Sequence, residues 1–302
     1  MLDICLLGTG GMMPLPKRHL TAMMARYNGH NILIDCGEGT QVAVRKKGWS
    51  FKEIDLILIT HFHADHMGGL PGMLLSIANS GRTEPVSMAG PAGLEKIVRN
   101  LCVITGRLPF LIHFIEIEEE QQELFFGDFK VNAFKVFHRI TCYGYSIIID
   151  RAGKFDVEKA QAAGLPVRLW GRLQQGEDVE FEGKKYTPGL VMGPPRRGLK
   201  VTYCTDTRPV DIIAENAAGA DLFICEGMYG DKEKQEDAVK KRHMTFYEAA
   251  ELGAKAQPER MWLTHYSPSL IKPGPYMDDV RKIFDRAEAG RDLKSITLKF
   301  VD

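Results

Sequence analysis

The run Thr60-His61-Phe62-His63-Ala64-Asp65-His66-Met67-Gly68-Gly69 puts three imidazoles and a carboxylate within six residues, directly after the apolar stretch Ile54 to Ile59. A buried imidazole needs partners and an exposed one needs no neighbours, so this density argues for a shared ligand. Imidazole and carboxylate together suit a divalent ion, Zn first and also Fe or Mn. An alternating His-x-His can aim two ring nitrogens at one ion and leave Asp65 and His66 for a second. Gly68 and Gly69 are expected to let the backbone turn tightly into the next helix. Three further positions fit the same chemistry, each at the end of a strand-like run: His138 after Phe129 to Phe137, Asp206 after Leu199 to Cys204, and His265 after Met261 to Thr264. Ligands of open α/β sheets gather beyond strand ends, so one sheet edge can collect all of them.

The elements that would position these residues are short apolar, β-branched runs, each followed by a segment with helical spacing. Strands are predicted over 2–7, 22–27, 31–35, 56–60, 86–89, 111–117, 129–136, 145–149, 200–204, 222–225, 260–264 and 295–300. Helices are predicted over 39–47, 68–78, 93–101, 245–256 and 276–289. This is layered α/β architecture. The stretch 151–200 differs, with Gly164-Leu165-Pro166, Gly193-Pro194-Pro195 and short polar runs, and it reads as an insertion or arm at 151–197. Ten basic against six acidic side chains make residues 151–200 +4, leaving −4 elsewhere, because the 302-residue chain is neutral with 39 of each sign.

With 44% apolar and 26% charged residues the chain reads as a globular protein near the size limit of one hydrophobic core. The charge balance excludes a bulk nucleic-acid coat but leaves room for a local basic patch. The six cysteines are scattered without a CxxC pair, so they are expected to be reduced, mostly buried thiols. No apolar run approaches the roughly 18 residues of a membrane span. Asp3 and the early glycines do not suit a signal peptide, so the expected location is the cytoplasm. Gly8-Thr9-Gly10-Gly11 lacks the third glycine of a dinucleotide fingerprint, since Met13 stands there, and is better explained as a tight loop lining the site. The pairs Met12-Met13 and Met23-Met24 are expected to fill gaps in the core.

The order His-x-His-x-Asp-His, later His, later Asp, final His resembles the metallo-β-lactamase superfamily. Within it the chain is similar to the ribonuclease Z family, endonucleases that trim the 3′ trailer from precursor tRNA. The similarity is carried by Leu7-Gly8-Thr9-Gly10 with Pro14 and Arg18, Asp35-Cys36-Gly37-Glu38-Gly39-Thr40-Gln41, Gly69-Leu70-Pro71-Gly72, Gly90-Pro91-Ala92-Gly93-Leu94, Asp206-Thr207-Arg208-Pro209 and Leu263-Thr264-His265-Tyr266-Ser267. These segments span most of the chain. The resemblance implies one domain over 1–302, a four-layer αβ/βα sandwich with an inserted basic arm. It implies two divalent ions, His61, His63 and His138 holding one, Asp65, His66 and His265 the other, and Asp206 bridging. Such a pair lowers the pKa of a bridging water from about 15.7 towards neutrality, so that the resulting hydroxide can hydrolyse a phosphodiester.

Asp65, Glu226 and His243 take the catalytic positions, His243 as the acid for the departing ribose 3′-oxygen and Glu226 as its carboxylate partner. Asp35 would orient a ligand imidazole through its other ring N–H. Arg18, Arg168, Arg172, Arg196, Arg197 and Arg208 are candidate substrate contacts, and the arm would grip tRNA across a homodimer by contacts that position without reading sequence. Departures from the family pattern fall at Cys225-Glu226-Gly227-Met228, Thr205, Ser269 and Val167-Arg168-Leu169. None touches a metal ligand; they bear on the substrate, and leave as alternatives a hydrolase of a small phosphodiester, cyclic nucleotide or ester and, outside catalysis, a binding module with structural metals.

Overall fold

The computed structural model describes residues 1–301. The chain forms two compact units, one of residues 1–148 with 200–299 and one of residues 149–199 with Phe300 and Val301. The larger unit is built on two seven-stranded mixed sheets flanked by helices, the metallo-β-lactamase fold.

The first sheet contains β1 (Leu2–Gly8), β2 (Ala22–Tyr27), β3 (His30–Ile34), β4 (Ile54–Leu58), β5 (Val86–Pro91), β6 (Ile112–Ile117) and the last strand, β16 (Ser295–Leu298), in the order β16-β1-β2-β3-β4-β5-β6. β3 to β6 run parallel, and β16, β1, β2 and β3 pair antiparallel. The second sheet contains β7 (Gln121–Phe126), β8 (Phe129–Val136), β9 (Cys142–Arg151), β12 (Arg196–Cys204), β13 (Leu222–Glu226), β14 (Met261–Thr264) and β15 (Ala287–Ala289), in the order β15-β14-β13-β12-β9-β8-β7.

β4, Ile-Asp-Leu-Ile-Leu, is a central parallel strand, and its apolar residues are buried on both faces. Alternate residues of β1 divide the same way. Cys5 and Leu7 pack under α1 (Thr40–Lys47), α3 (Leu70–Asn79) and α4 (Leu94–Leu101), while Ile4 and Leu6 are equally buried on the opposite face. The second sheet packs likewise against α7 (Asp211–Ala217), α9 (Phe246–Ala256) and α10 (Met277–Arg281). Between the sheets, Tyr145 Oη donates to the carbonyl of Ile59 at 2.7 Å. No helix among the described residues is long and apolar enough to cross a membrane.

Several expectations need correction. The segment 276–289 has helical spacing, but the helix stops at Arg281 and Ala287–Ala289 forms β15, parallel to β14. The free edge of β14 offers a hydrogen-bond ladder that outweighs local propensity. Strand β7 was hidden by its polar Gln-Gln-Glu start; it pairs with β8 through the tight Gly127-Asp128 turn. α2 (Ala64–Met67), α7 and α8 (Gln235–Lys241) also lie beyond the predicted helices, while the helix expected at 68–78 is α3. Gly69 is needed for space rather than for a turn: its φ is −86°, and a Cβ there would lie 2.0 Å from the Gly37 carbonyl oxygen. Met23 and Met24 are buried as expected, whereas Met12 and Met13 are 54% and 52% exposed.

The smaller unit has more regular structure than its polar sequence suggests. It contains α5 (Val157–Ala162), α6 (Val167–Gln174) and the hairpin β10 (Val179–Phe181) with β11 (Lys184–Tyr186). Ala160, Leu165, Leu173, Val179 and Val191 form its own core, edged by Phe155 and Trp170.

Candidate metal centre

Seven side chains from both sheets of the larger unit converge at the C-terminal strand ends. His61, His63, Asp65 and His66 leave β4 and enter α2; His138 follows β8, Asp206 follows β12 and His265 follows β14. Asp206 (φ 48°), His265 (φ 58°) and Asp35 (φ 60°), which follows β3, all hold left-handed backbone. Backbone of this kind carries some strain and clusters at functional sites. The donor atoms fall into groups whose members lie within 4.8 Å of one another: His61, His63, His138 and Asp206; Asp65, His66 and His265; and Asp206, His265 and the neighbouring His243.

The spacing fits a coordinated ion. Donors about 2.0–2.1 Å from a tetrahedral zinc stand about 3.3–3.4 Å apart. Here His61 Nε2 is 2.9 Å from His63 Nδ1, which is 3.4 Å from His138 Nε2. His66 Nε2 and His265 Nε2 are 3.2 Å apart, and Asp206 Oδ1 lies 3.2 and 3.1 Å from them. That buried carboxylate oxygen has no hydrogen bond of its own. A divalent cation between these atoms satisfies them at once, and the donor set suits one.

The opposite edges of the rings set which nitrogen carries the lone pair. His66 Nδ1 lies 2.8 Å from Asp35 Oδ2, and His61 Nδ1 3.0 Å from the Thr60 hydroxyl, which itself donates to Asp35. Asp35 is fully buried and also accepts the Thr60 N–H at 2.9 Å. His138 Nδ1 faces the Arg242 carbonyl at 3.1 Å. With the proton on each Nδ1, the Nε2 atoms of all three rings are free to coordinate.

Electrostatics point the same way. Burial, with the neighbouring imidazoles, pushes His61 well below the usual histidine range, and burial lowers His63 and His138 despite the pull of Asp206. These rings are neutral, as ligands must be. His66 is also penalised by burial, but Asp206 and Asp35 together draw positive charge onto it and raise it well above normal. Asp206 resists its own burial through His265, His66 and His61 and stays ionised. Positive charge is thus what the second group calls for.

Beside the cluster, His243 Nδ1 lies 3.2 Å from Glu226 Oε2. Burial opposes a charge on this ring, but the Glu226 carboxylate outweighs it and holds the imidazole at about 9. Glu226 ends β13, is fully buried, and accepts the N–H groups of Thr207 and Met244 at 2.5 and 3.3 Å. His243 stands two residues before Thr245, which caps α9 in a capping box with Glu248. The cap and the histidine therefore coexist, and the cap fixes the approach of the His243 segment.

Other candidates are placed differently. The Arg208 guanidinium pairs with Glu248 and donates to the His243 carbonyl, bracing that segment. Arg18 donates to the carbonyls of Leu270 and Ile271 at 2.7 and 2.8 Å and lies over the Tyr266 ring. Within the smaller unit, Arg168 lies over Phe181, Arg172 pairs with Glu177 at 2.7 Å, Arg196 donates to the Ala152 carbonyl, and Arg197 is exposed.

Residues that spacing did not single out complete the site. Thr60, adjoining the motif, ties Asp35 to His61. Gly11 packs on His265, where a Cβ would lie 2.6 Å from Cε1, and the Met12 N–H donates to Asp65 Oδ2 at 2.6 Å. The glycine loop after β1 was the one signal for these. A cleft of about 440 Å³ opens over the cluster, lined by Met12, His63, Asp65, His138, Arg139, Lys241 and His243 among others.

Residues 2–159 match the family model described as anti-Pycsar protein Apyc1, and residues 146–266 that of the β-lactamase superfamily domain. The chain is 56% identical to a ribonuclease Z of Lachnoclostridium phytofermentans over 99% of both chains. It is 55% identical to a ribonuclease Z of Lachnospira eligens over 100% of this chain and 99% of that one. The crystal structure of the short form of human tRNase Z superposes with a TM-score of 0.72 and 25% identity, covering 99% of this chain and 100% of that one.

Proposed function

The chain belongs to the ribonuclease Z family of the metallo-β-lactamase superfamily, a hydrolytic, metal-dependent endoribonuclease of tRNA 3′ processing, and we propose that it removes the 3′ trailer from precursor tRNA with two zinc ions. His61, His63 and His138 would hold one ion, Asp65, His66 and His265 the other, with Asp206 shared. Bound there, the ions would supply Lewis acidity for a water nucleophile and for the scissile phosphate. The observation that carries this reading is the convergence of seven donors at coordination spacing, with neutral imidazoles on one side and a call for positive charge on the other.

The chain's own groups divide the remaining work. Asp35 and Thr60 keep protons on the far edges of His66 and His61. Asp65, ionised and fixed by the Met12 N–H, orients the attacking water by accepting its hydrogen bond. His243, kept charged by Glu226, gives its proton to the departing ribose 3′-oxygen. Residues 1–302 act as one domain, with 151–197 as an arm that grips the tRNA body by phosphate contacts in a homodimer working in the cytoplasm. The +4 charge of residues 151–200 supports the arm's role.

Zinc-loaded protein mixed with a trailer-bearing precursor tRNA should give one cut near the discriminator nucleotide. Deleting residues 151–197 should abolish that cut and spare turnover of a small phosphodiester. No tRNA cleavage at micromolar enzyme, with small-diester turnover intact, would transfer the assignment to a small-molecule hydrolase.

A further inference from the structure

The mouth of the cleft is chemically two-sided. Beside His63 and His138 it is lined by Arg139 and Lys241, both exposed cations. Beside Asp65 and His265 it is lined by Met12, held in place because its N–H bonds Asp65 and because Gly11 lies flat on His265. Met12 takes a left-handed φ of 67°, an uncommon conformation for a residue with a side chain, and the residue is 54% exposed. Met13 beside it is 52% exposed. A flexible, polarizable apolar side chain at the rim of a charged site is matched to a flat, sequence-tolerant apolar surface, which on an RNA substrate means a base.

Resting on the tRNA-processing reading above, we propose that Met12 is a positioning residue whose side chain packs against the base of the first trailer nucleotide. The cut leaves the 3′-oxygen on the retained nucleotide and the phosphate on the trailer nucleotide. The retained side must meet His243, whose ring stands between those of His138 and His265 with centroids 5.2 and 5.5 Å away, and with the charged backbone of the tRNA body behind it takes the cationic rim formed by Arg139 and Lys241. The base that follows the cut then falls on the other rim, which is Met12. Because Met12 also fixes Asp65 through its backbone, the base contact sets the trailer strand relative to the reacting phosphate, and any of the four bases serves. The enzyme would thereby tolerate trailers of varied sequence yet require a base at that place.

The test is a coupling measurement with zinc-loaded enzyme. Wild type, Met12→Ala and Met12→Leu are each assayed on precursor tRNA carrying an intact or an abasic first trailer nucleotide, and on one abasic at the last retained nucleotide. Met12→Ala should lower kcat/KM on the intact precursor by about fivefold to tenfold, the worth of one partly buried apolar side chain. The trailer abasic site should cost wild type a similar factor and the alanine variant little more, and Met12→Leu should restore most of the loss. Fluorescence of 2-aminopurine at the first trailer position should change on binding to wild type and less on binding to Met12→Ala. Equal losses from Met12→Ala on intact and trailer-abasic substrates, or coupling to the retained nucleotide instead, would overturn the assignment. Wild type that fails to cut any precursor while hydrolysing a small phosphodiester would refute the tRNA reading itself, and this inference with it.

Discussion

Replacing Asp35 by Asn changes one atom on the far side of His66, a proposed metal ligand, and should cost metal affinity without unfolding the chain. Asn tolerates the left-handed backbone at this position, φ 60°, and has nearly the same volume, so β3 and the Thr60 loop should keep their places. One oxygen of the Asn can still accept the Thr60 N–H, now made at 2.9 Å. The other atom becomes an NH2 facing His66 Nδ1, where the carboxylate oxygen stands at 2.8 Å. The ring must then shift its proton to Nε2, the nitrogen that faces Asp206 and His265, or leave two donors opposed in a fully buried place. Loss of such an orienting partner typically costs 10- to 100-fold in metal affinity, about 1.4–2.7 kcal/mol. The assay is chelator competition for zinc, alongside kcat at saturating zinc and a thermal melt. Weaker zinc binding with activity largely recovered by excess zinc supports the tautomer argument. Unchanged zinc affinity with lost activity would refute it.

Three further outcomes are expected. His243→Ala should lower kcat on precursor tRNA by about 10²- to 10⁴-fold, the usual share of a general acid, but barely affect a p-nitrophenyl diester, whose leaving group needs no proton. Chelating the metal should lower the melting temperature by roughly 4–5 °C, from about 2.7 kcal/mol at a hundredfold excess over Kd; an unchanged melt by scanning calorimetry would mean these donors hold no ion. Burial opposes the charge on Glu248, but Arg208 and the Thr245 N–H outweigh it and hold its carboxyl below the ordinary value. A depressed folded pKa contributes stability above the ordinary carboxylate pKa, about 4.3, that is lost as pH falls through the folded value. In urea titrations Glu248→Gln should therefore be less stable than wild type at pH 7 and approach it at acid pH.

The sequence by itself determined the layered α/β class, the strand before each chemical group, and the density of His61, His63, Asp65 and His66 that demands a shared cation. Those are local facts, carried by periodicity and by residue types a few positions apart. Composition could not say that a neutral chain concentrates its unlike charges, and the run at 276–289 could not show that a distant strand edge would claim its end. Arg208 stood among the candidate substrate contacts; that it also braces Glu248, forty residues away, no local pattern could show. The role of Thr60 was equally hidden, since a hydroxyl between Asp35 and His61 has meaning only when β3 and β4 lie side by side. Met12 looked like core filling because hydropathy records what a side chain prefers. Only the tertiary structure decided where it stands, because the left-handed turn that ties its N–H to Asp65 points the side chain outward. The residue types of the candidate donors were local chemistry, whereas their convergence, which nitrogen is free, what braces each ring and what rims the cleft are contacts between elements far apart in the chain.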